Sequence, residues 1–269
     1  MKNTFLMLAV AAVCFSTGCE TTPKETSAPP VDTTTMVAEE IRISPLSDSP
    51  AFSDAILELN SPGENSKVKT TEGTSDVTFD YTIKNYKLMA KTDSGSCALN
   101  CANSDKGQHI HLILNNKPYL AKYETNFVEK LDTGHYVALS FLSRSYHESL
   151  KHFEAFDLRQ FTVGSVHAKK VDLKKPLLFY SRPKGDYVGK DTKRVLLDFF
   201  LVNTELSETG NKVKAVINGK EFILTKWQAY VIEGLPLGEN TIHLELVDKD
   251  GKVIEGPYNV VDRVITLKK

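Results

Sequence analysis

From residue 51 onward the apolar positions recur with a period of two, in short runs. "VTFDYTI" from Val77, "HIHLIL" from His109 and "TIHLEL" from Thr241 place alternate side chains on opposite faces of extended backbone. No segment carries the 3.6-residue apolar period of an amphipathic helix. Gly, Asn, Asp and Pro interrupt the runs about every ten residues, which predicts short strands joined by tight turns. "INGKEF" places Asn218-Gly219 where a two-residue hairpin turn needs positive φ, and Asn115-Asn116 occupies the corresponding place earlier in the chain. "DKDGK" (Asp248 to Lys252) predicts a second hairpin.

The landmarks occur twice in one order. Gly107 matches Gly210, Asn115 matches Asn218, Leu131 matches Leu235 and Gly134 matches Gly238. Each copy holds about seven strands in roughly 100 residues, the size of an immunoglobulin-like sandwich. The predicted fold is therefore all-β: two tandem immunoglobulin-like β-sandwich domains, at 51–165 and 176–269, joined by a Lys-rich linker at 166–175.

The first fifty residues read differently. Lys2 precedes an apolar run, Phe5 to Phe15, too short to span a bilayer, followed by "STGC". Ser16-Thr17-Gly18-Cys19 resembles a bacterial lipobox, which implies a lipoprotein signal peptide at 1–18 and lipidation of Cys19. Glu20 follows the cysteine in place of the Asp common in inner-membrane lipoproteins, so the resemblance implies an outer-membrane lipoprotein, facing the periplasm. Residues 19–50 are rich in Thr, Ser and Pro and predict a flexible tether reaching roughly 30 Å. Lys and Arg number 33 against 34 Asp and Glu, interspersed, so no basic face suggests a nucleic-acid partner.

With "SRSYHESLK" and "GENTIHLELVDKDGK", the whole chain is similar to uncharacterised Gram-negative envelope lipoproteins with tandem Ig-like domains, some of them called phosphopeptide-binding. "SRSYH" (Ser143 to His147) resembles the Ser-Arg-x-His of forkhead-associated domains with one residue too many. The Gly-Arg and Asn-Gly-Thr those domains need are not in the right places. No nucleophile elbow, H-E-x-x-H, P-loop or dinucleotide fingerprint occurs, which predicts a non-enzymatic protein.

What distinguishes the copies points to function. Val77 to Val195 is an offset of 118 positions but Gly107 to Gly210 only 103, so copy one carries an insertion between strands B and C. It lies in "KLMAKTDSGSCALNCANSDK", which holds Cys97 and Cys101, the pair left once Cys14 is cleaved off and Cys19 acylated. On the strand after it, Ile110, Leu112 and Leu114 share one face, and His109, His111 and Ile113 the other. Because Lys212 and Lys214 stand at the matching positions of copy two, His109 and His111 are expected on an open face. B–C and F–G loops share one end of an Ig-like sandwich, so Cys97, Cys101, His109, Arg144, His147 and His152 are expected at one tip.

Three readings fit that tip. In the first, Cys97 and Cys101 form a disulfide that stiffens a binding loop in an oxidising compartment, and the histidines are surface residues. In the second, His109 and His111 bind copper or zinc, with His147 or the thiolates of Cys97 and Cys101 completing a tetrahedral set. In the third, Arg144, Tyr146, His147 and Lys151 form a patch for an anionic ligand, a glycan or a protein partner. The main expectation is a binding or structural module anchored to the membrane by lipid, with a metal-binding protein as the alternative.

Overall fold

The alternating runs become seventeen strands in a computed structural model that describes residues 40–70, 73–167 and 170–269. The signal peptide, Cys19 and the first part of the expected tether lie outside the described residues. The first nine strands are β1 (Arg42–Pro45), β2 (Ile56–Ser61), β3 (Lys67–Val68), β4 (Thr74–Lys84), β5 (His109–Leu114), β6 (Leu120–Lys122), β7 (Asn126–Asp132), β8 (Gly134–Ser143) and β9 (Phe156–Val163). The others are β10 (Leu177–Arg182), β11 (Gly185–Val188), β12 (Val195–Val202), β13 (Lys212–Ile217), β14 (Lys220–Leu224), β15 (Tyr230–Glu233), β16 (Gly238–Val247) and β17 (Val260–Lys268).

Both halves of the chain use one topology. Sheets β2-β4-β7 and β3-β9-β8-β5-β6 in the first half correspond to β1-β15-β12-β10 and β11-β17-β16-β13-β14 in the second, with β1 as an added edge. The short parallel pairing of β3 with β9 recurs as β11 with β17. Asn115 and Asn218 both adopt positive φ, 52° and 47°, and their side-chain oxygens accept from the backbone of β8 and β16 respectively. Residues 85–108 join β4 to β5, where 203–211 join β12 to β13, so the insertion lies where the repeat offset places it.

Three apolar layers lie between four sheets. Leu59, Phe79, Ile110, Leu112 and Phe161 belong to the first, between the two sheets of the leading half. Leu197, Phe199, Ala215, Leu244 and Ile265 belong to the equivalent layer of the second half. A middle layer joins the halves: Ile113, Leu139 and Phe141 meet Leu177, Phe179 and Phe200. Phe141 and Phe200 stack at 4.9 Å, and Trp227 meets Phe200 edge-on at 5.0 Å.

That middle layer overturns the expectation of an open histidine face. The copy-two comparison holds for β13, whose lysines are only partly buried, but the matching face of β5 is covered by β10 and β12. His109 and His111 are both 0 % exposed. The tether also ends earlier than residue 50. Arg42–Pro45 pairs antiparallel with β15, Ile41 and Ile43 pack on the second-half core, and Leu46 is buried beside the disulfide. Alternating isoleucines on an edge strand bury enough apolar surface to order it. In the linker, Val171 and Leu173 pack against the middle layer.

Candidate metal centre

The pleat of β5 sends His109 and His111 to the same side, two residues apart. A third imidazole arrives from the turn after β8. There Arg144 N–H donates to Glu148 O, and His147 N–H donates to Arg144 O, each at 2.9 Å. His147 closes the turn at φ 71°, a left-handed conformation that strains a side chain other than Gly or Asn. His109 Nε2 lies 2.9 Å from His111 Nε2 and 3.1 Å from His147 Nδ1. One nitrogen from each ring falls within 4.8 Å of the other two. A tetrahedral ion with bonds of about 2.0–2.1 Å holds its nitrogens about 3.3–3.4 Å apart, so small rotations seat one.

The outward nitrogens are held by second contacts. His109 Nδ1–H donates to Gly107 O at 2.8 Å, which fixes the tautomer and turns the Nε2 lone pair toward the centre. Gly107 has φ +85°, and a Cβ there would fall 2.4 Å from Ala90 O, so only glycine fits. His111 Nδ1 is 3.2 Å from Ser181 Oγ, on β10 of the other half. The Tyr119 ring stacks on His111 with centroids 3.6 Å apart, and its hydroxyl lies 3.2 Å from His147 Nδ1. Two arrangements satisfy the central contact. Either His111 Nε2–H donates to His109 while Ser181 donates to His111, or His111 donates to Ser181 and both Nε2 lone pairs face a cation.

All three rings are neutral near pH 7. Burial pushes the His109 imidazole down to about 4, against the Gly107 carbonyl, which favours its protonated form. Burial holds His111 well below its ordinary range, reinforced by its histidine neighbours and by Arg182 and Lys184. His147 is also held well below, by burial and then by Arg182, His109 and Lys184. Neutral imidazole is the form that ligates a transition metal.

The other expected residues fall elsewhere. Cys97 and Cys101 are joined as a disulfide, with Cα atoms 4.8 Å apart, across the single turn α1 (Cys97–Asn100). They are therefore not thiolate ligands. The two loops do share an end: Ser104 N–H donates to Ser145 O at 2.8 Å, and Tyr146 is buried with the disulfide. The anion or glycan patch, in contrast, is not an open surface. Arg144 binds the carbonyls of Pro50 and Ser149 and pairs with Glu148 at 3.3 Å. Tyr146 donates to Ser49 Oγ at 2.9 Å, Lys151 pairs with Asp198, and His147 belongs to the imidazole cluster. These side chains face inward because the N-terminal segment and β12 pack over the turn. His152 is 3.1 Å from Phe52 O, away from the cluster. Tyr119, Ser181, Arg182 and Lys184 were not expected at the site. Gly107 had a signal, its place in the repeat, but Ser181 had none.

No protein-family model and no curated protein matches the chain. Among solved structures, it is similar to fibronectin(III)-like modules of Clostridium thermocellum CbhA at 11 % identity, over 79 % of this chain and 94 % of that one, with a TM-score of 0.27. It is similar to the two tandem V-type regions of VCBP3, a v-region-containing chitin binding protein, at 9 % identity, over 80 % and 100 % of the two chains, with a TM-score of 0.24. The SGBP-B protein of a Bacteroides ovatus mixed-linkage glucan utilization locus matches at 7 % identity, over 78 % and 70 %, with a TM-score of 0.24.

Proposed function

We infer that this is a non-enzymatic metal-binding protein of two tandem immunoglobulin-like domains, which holds one copper or zinc ion on His109, His111 and His147. The observation that carries the reading is the convergence of three buried, neutral imidazole nitrogens, 2.9 and 3.1 Å apart, on one point. A buried histidine serving only as packing needs one partner at each ring nitrogen, and nothing requires that partner to be another imidazole. Here three meet at one place, and one is held there by strained backbone. Gly107 O and Ser181 Oγ supply the outer contacts that orient metal-bound histidines.

Elemental analysis of the purified protein after loading is expected to give one ion per chain. His109→Ala and His111→Ala should lose it, and His147→Asn should lose it while folding normally, because Asn accepts the left-handed turn. Ser181→Ala should weaken binding by about tenfold. Retention of a full equivalent by His109→Ala would end this reading.

The anchor is part of the same proposal. The lipobox-like Ser16-Thr17-Gly18-Cys19 supports acylation at Cys19, and the Cys97–Cys101 disulfide fits an oxidising compartment such as the periplasm. The protein would then hang from the outer membrane on the segment before β1. Cys19→Ser is expected to release it from the membrane fraction; unchanged fractionation would contradict the anchor.

A further inference from the structure

The charges around the three imidazoles bear on which ion they take. None of the clustered donors is anionic: each is a neutral imidazole nitrogen. An ion bound there keeps its whole charge, in a place that burial has stripped of water. Two cations stand close by. Arg182, 8 % exposed, directly follows Ser181, and its guanidinium lies 5.5 Å from the Tyr119 ring centroid and donates to Tyr187 Oη at 2.9 Å. Lys184 Nζ sits 3.8 Å over the Tyr119 ring and donates to Tyr119 O at 2.7 Å. One face of that ring stacks on His111, so Lys184 covers the other. The nearby strand carboxylates do not neutralise these charges: Asp186 pairs with Lys268 and Asp198 with Lys151.

We propose that the centre selects a monovalent ion, copper(I), and that Arg182 and Lys184 are the residues that set this preference by repelling divalent ions. The proposal rests on the metal-binding reading above. Coulomb repulsion is linear in the charge of the ion, so each cation opposes a divalent ion twice as strongly as a monovalent one. Coordination number works in the same direction. Copper(I) is satisfied by three neutral donors, whereas zinc takes a fourth ligand, a water where the protein supplies three histidines, and the full burial of His109 and His111 opposes that water.

The test uses the full chain, loaded without oxygen with copper(I) and separately with zinc(II), alongside Lys184→Met and Arg182→Met. The wild type is expected to hold one copper(I), to remain silent in electron paramagnetic resonance after exposure to air, and to lose zinc on gel filtration. Lys184→Met keeps an apolar stem at a partly exposed position. It should raise zinc affinity by about tenfold and copper(I) affinity by about threefold, a two-to-one ratio of logarithms. Arg182→Met, at the more enclosed position, should show the same ratio. A copper(II) signal from the wild type in air, a full equivalent of retained zinc, or equal gains for both ions would overturn the assignment. Failure to bind either ion would overturn the metal-binding reading itself.

Discussion

Lowering the pH from 6.5 to 5.5 is expected to cost the metal-free protein about 3 kcal/mol of unfolding free energy through His109, His111 and His147 alone. In the unfolded chain each imidazole titrates near 6.5. In the folded chain burial holds His109 at about 4, and His111 and His147 well below their ordinary range. The folded values are the depressed ones, so on acidification the unfolded chain takes up protons first. The stabilisation is complete above pH 6.5 and drains as pH falls toward the folded values. Each histidine contributes at most about 1.4 kcal/mol per pH unit, and about 1 kcal/mol over this first unit, where the unfolded imidazole is still titrating. Urea unfolding at a series of pH values measures the slope, and His111→Gln should reduce it by about a third. Stability that stays level across this interval, or resonances of His109, His111 and His147 titrating near 6.5 in the folded protein, would show that the cluster is not buried neutral. A bound ion should move the acid transition, because protons then compete with the metal for the same nitrogens.

Asp198→Ala is expected to destabilise the protein by about 3–5 kcal/mol. Asp198 interrupts the apolar run of β12 and is 0 % exposed. Its carboxylate accepts from Ser149 N–H at 3.3 Å and Ser149 Oγ at 3.1 Å, and it pairs with the Lys151 ammonium, so it ties the turn carrying His147 to the second half of the chain. Truncation leaves a largely buried ammonium and a backbone N–H without their acceptor, which costs more than the pair contributed. The double variant Asp198→Leu/Lys151→Met removes both charges and should recover most of the loss. Midpoints of urea unfolding at constant m-value report both changes. A loss below about 1 kcal/mol for Asp198→Ala would mean that Lys151 reaches water and the tie is unimportant.

The strands, the repeated topology, the two Asn turns and the site of the insertion were legible in the sequence because each depends on residues close together along the chain. Alternation at His109–Leu114 separated Ile110, Leu112 and Leu114 from His109, His111 and Ile113, and the structure keeps that division. For Cys97 and Cys101 the sequence allowed two roles, a disulfide or thiolate ligands to a metal, and the structure joins them as a disulfide. The environment of the histidines was not legible by the same means. Lys212 and Lys214 suggested water on the matching face, yet the two faces meet different surroundings. A hint was available in "LLFY" from Leu177 and "VLLDFFLV" from Val195, which are apolar at consecutive positions. A strand with one wet face needs apolar residues only at alternate ones. Those runs mark β10 and β12 as covered on both sides, but do not say by what.

The sequence by itself determined which side chains share a face, since the pleat has a period of two and is set within each strand. Only the tertiary structure decided which faces are dry. Packing of β5 and β8 on β10 and β12 turned two expected surface histidines into members of a buried three-imidazole centre. It also brought Ser181, Arg182 and Lys184 to that centre from about seventy residues away along the chain. Burial depends on what arrives from the far end of the chain, and no local period of apolar residues records that.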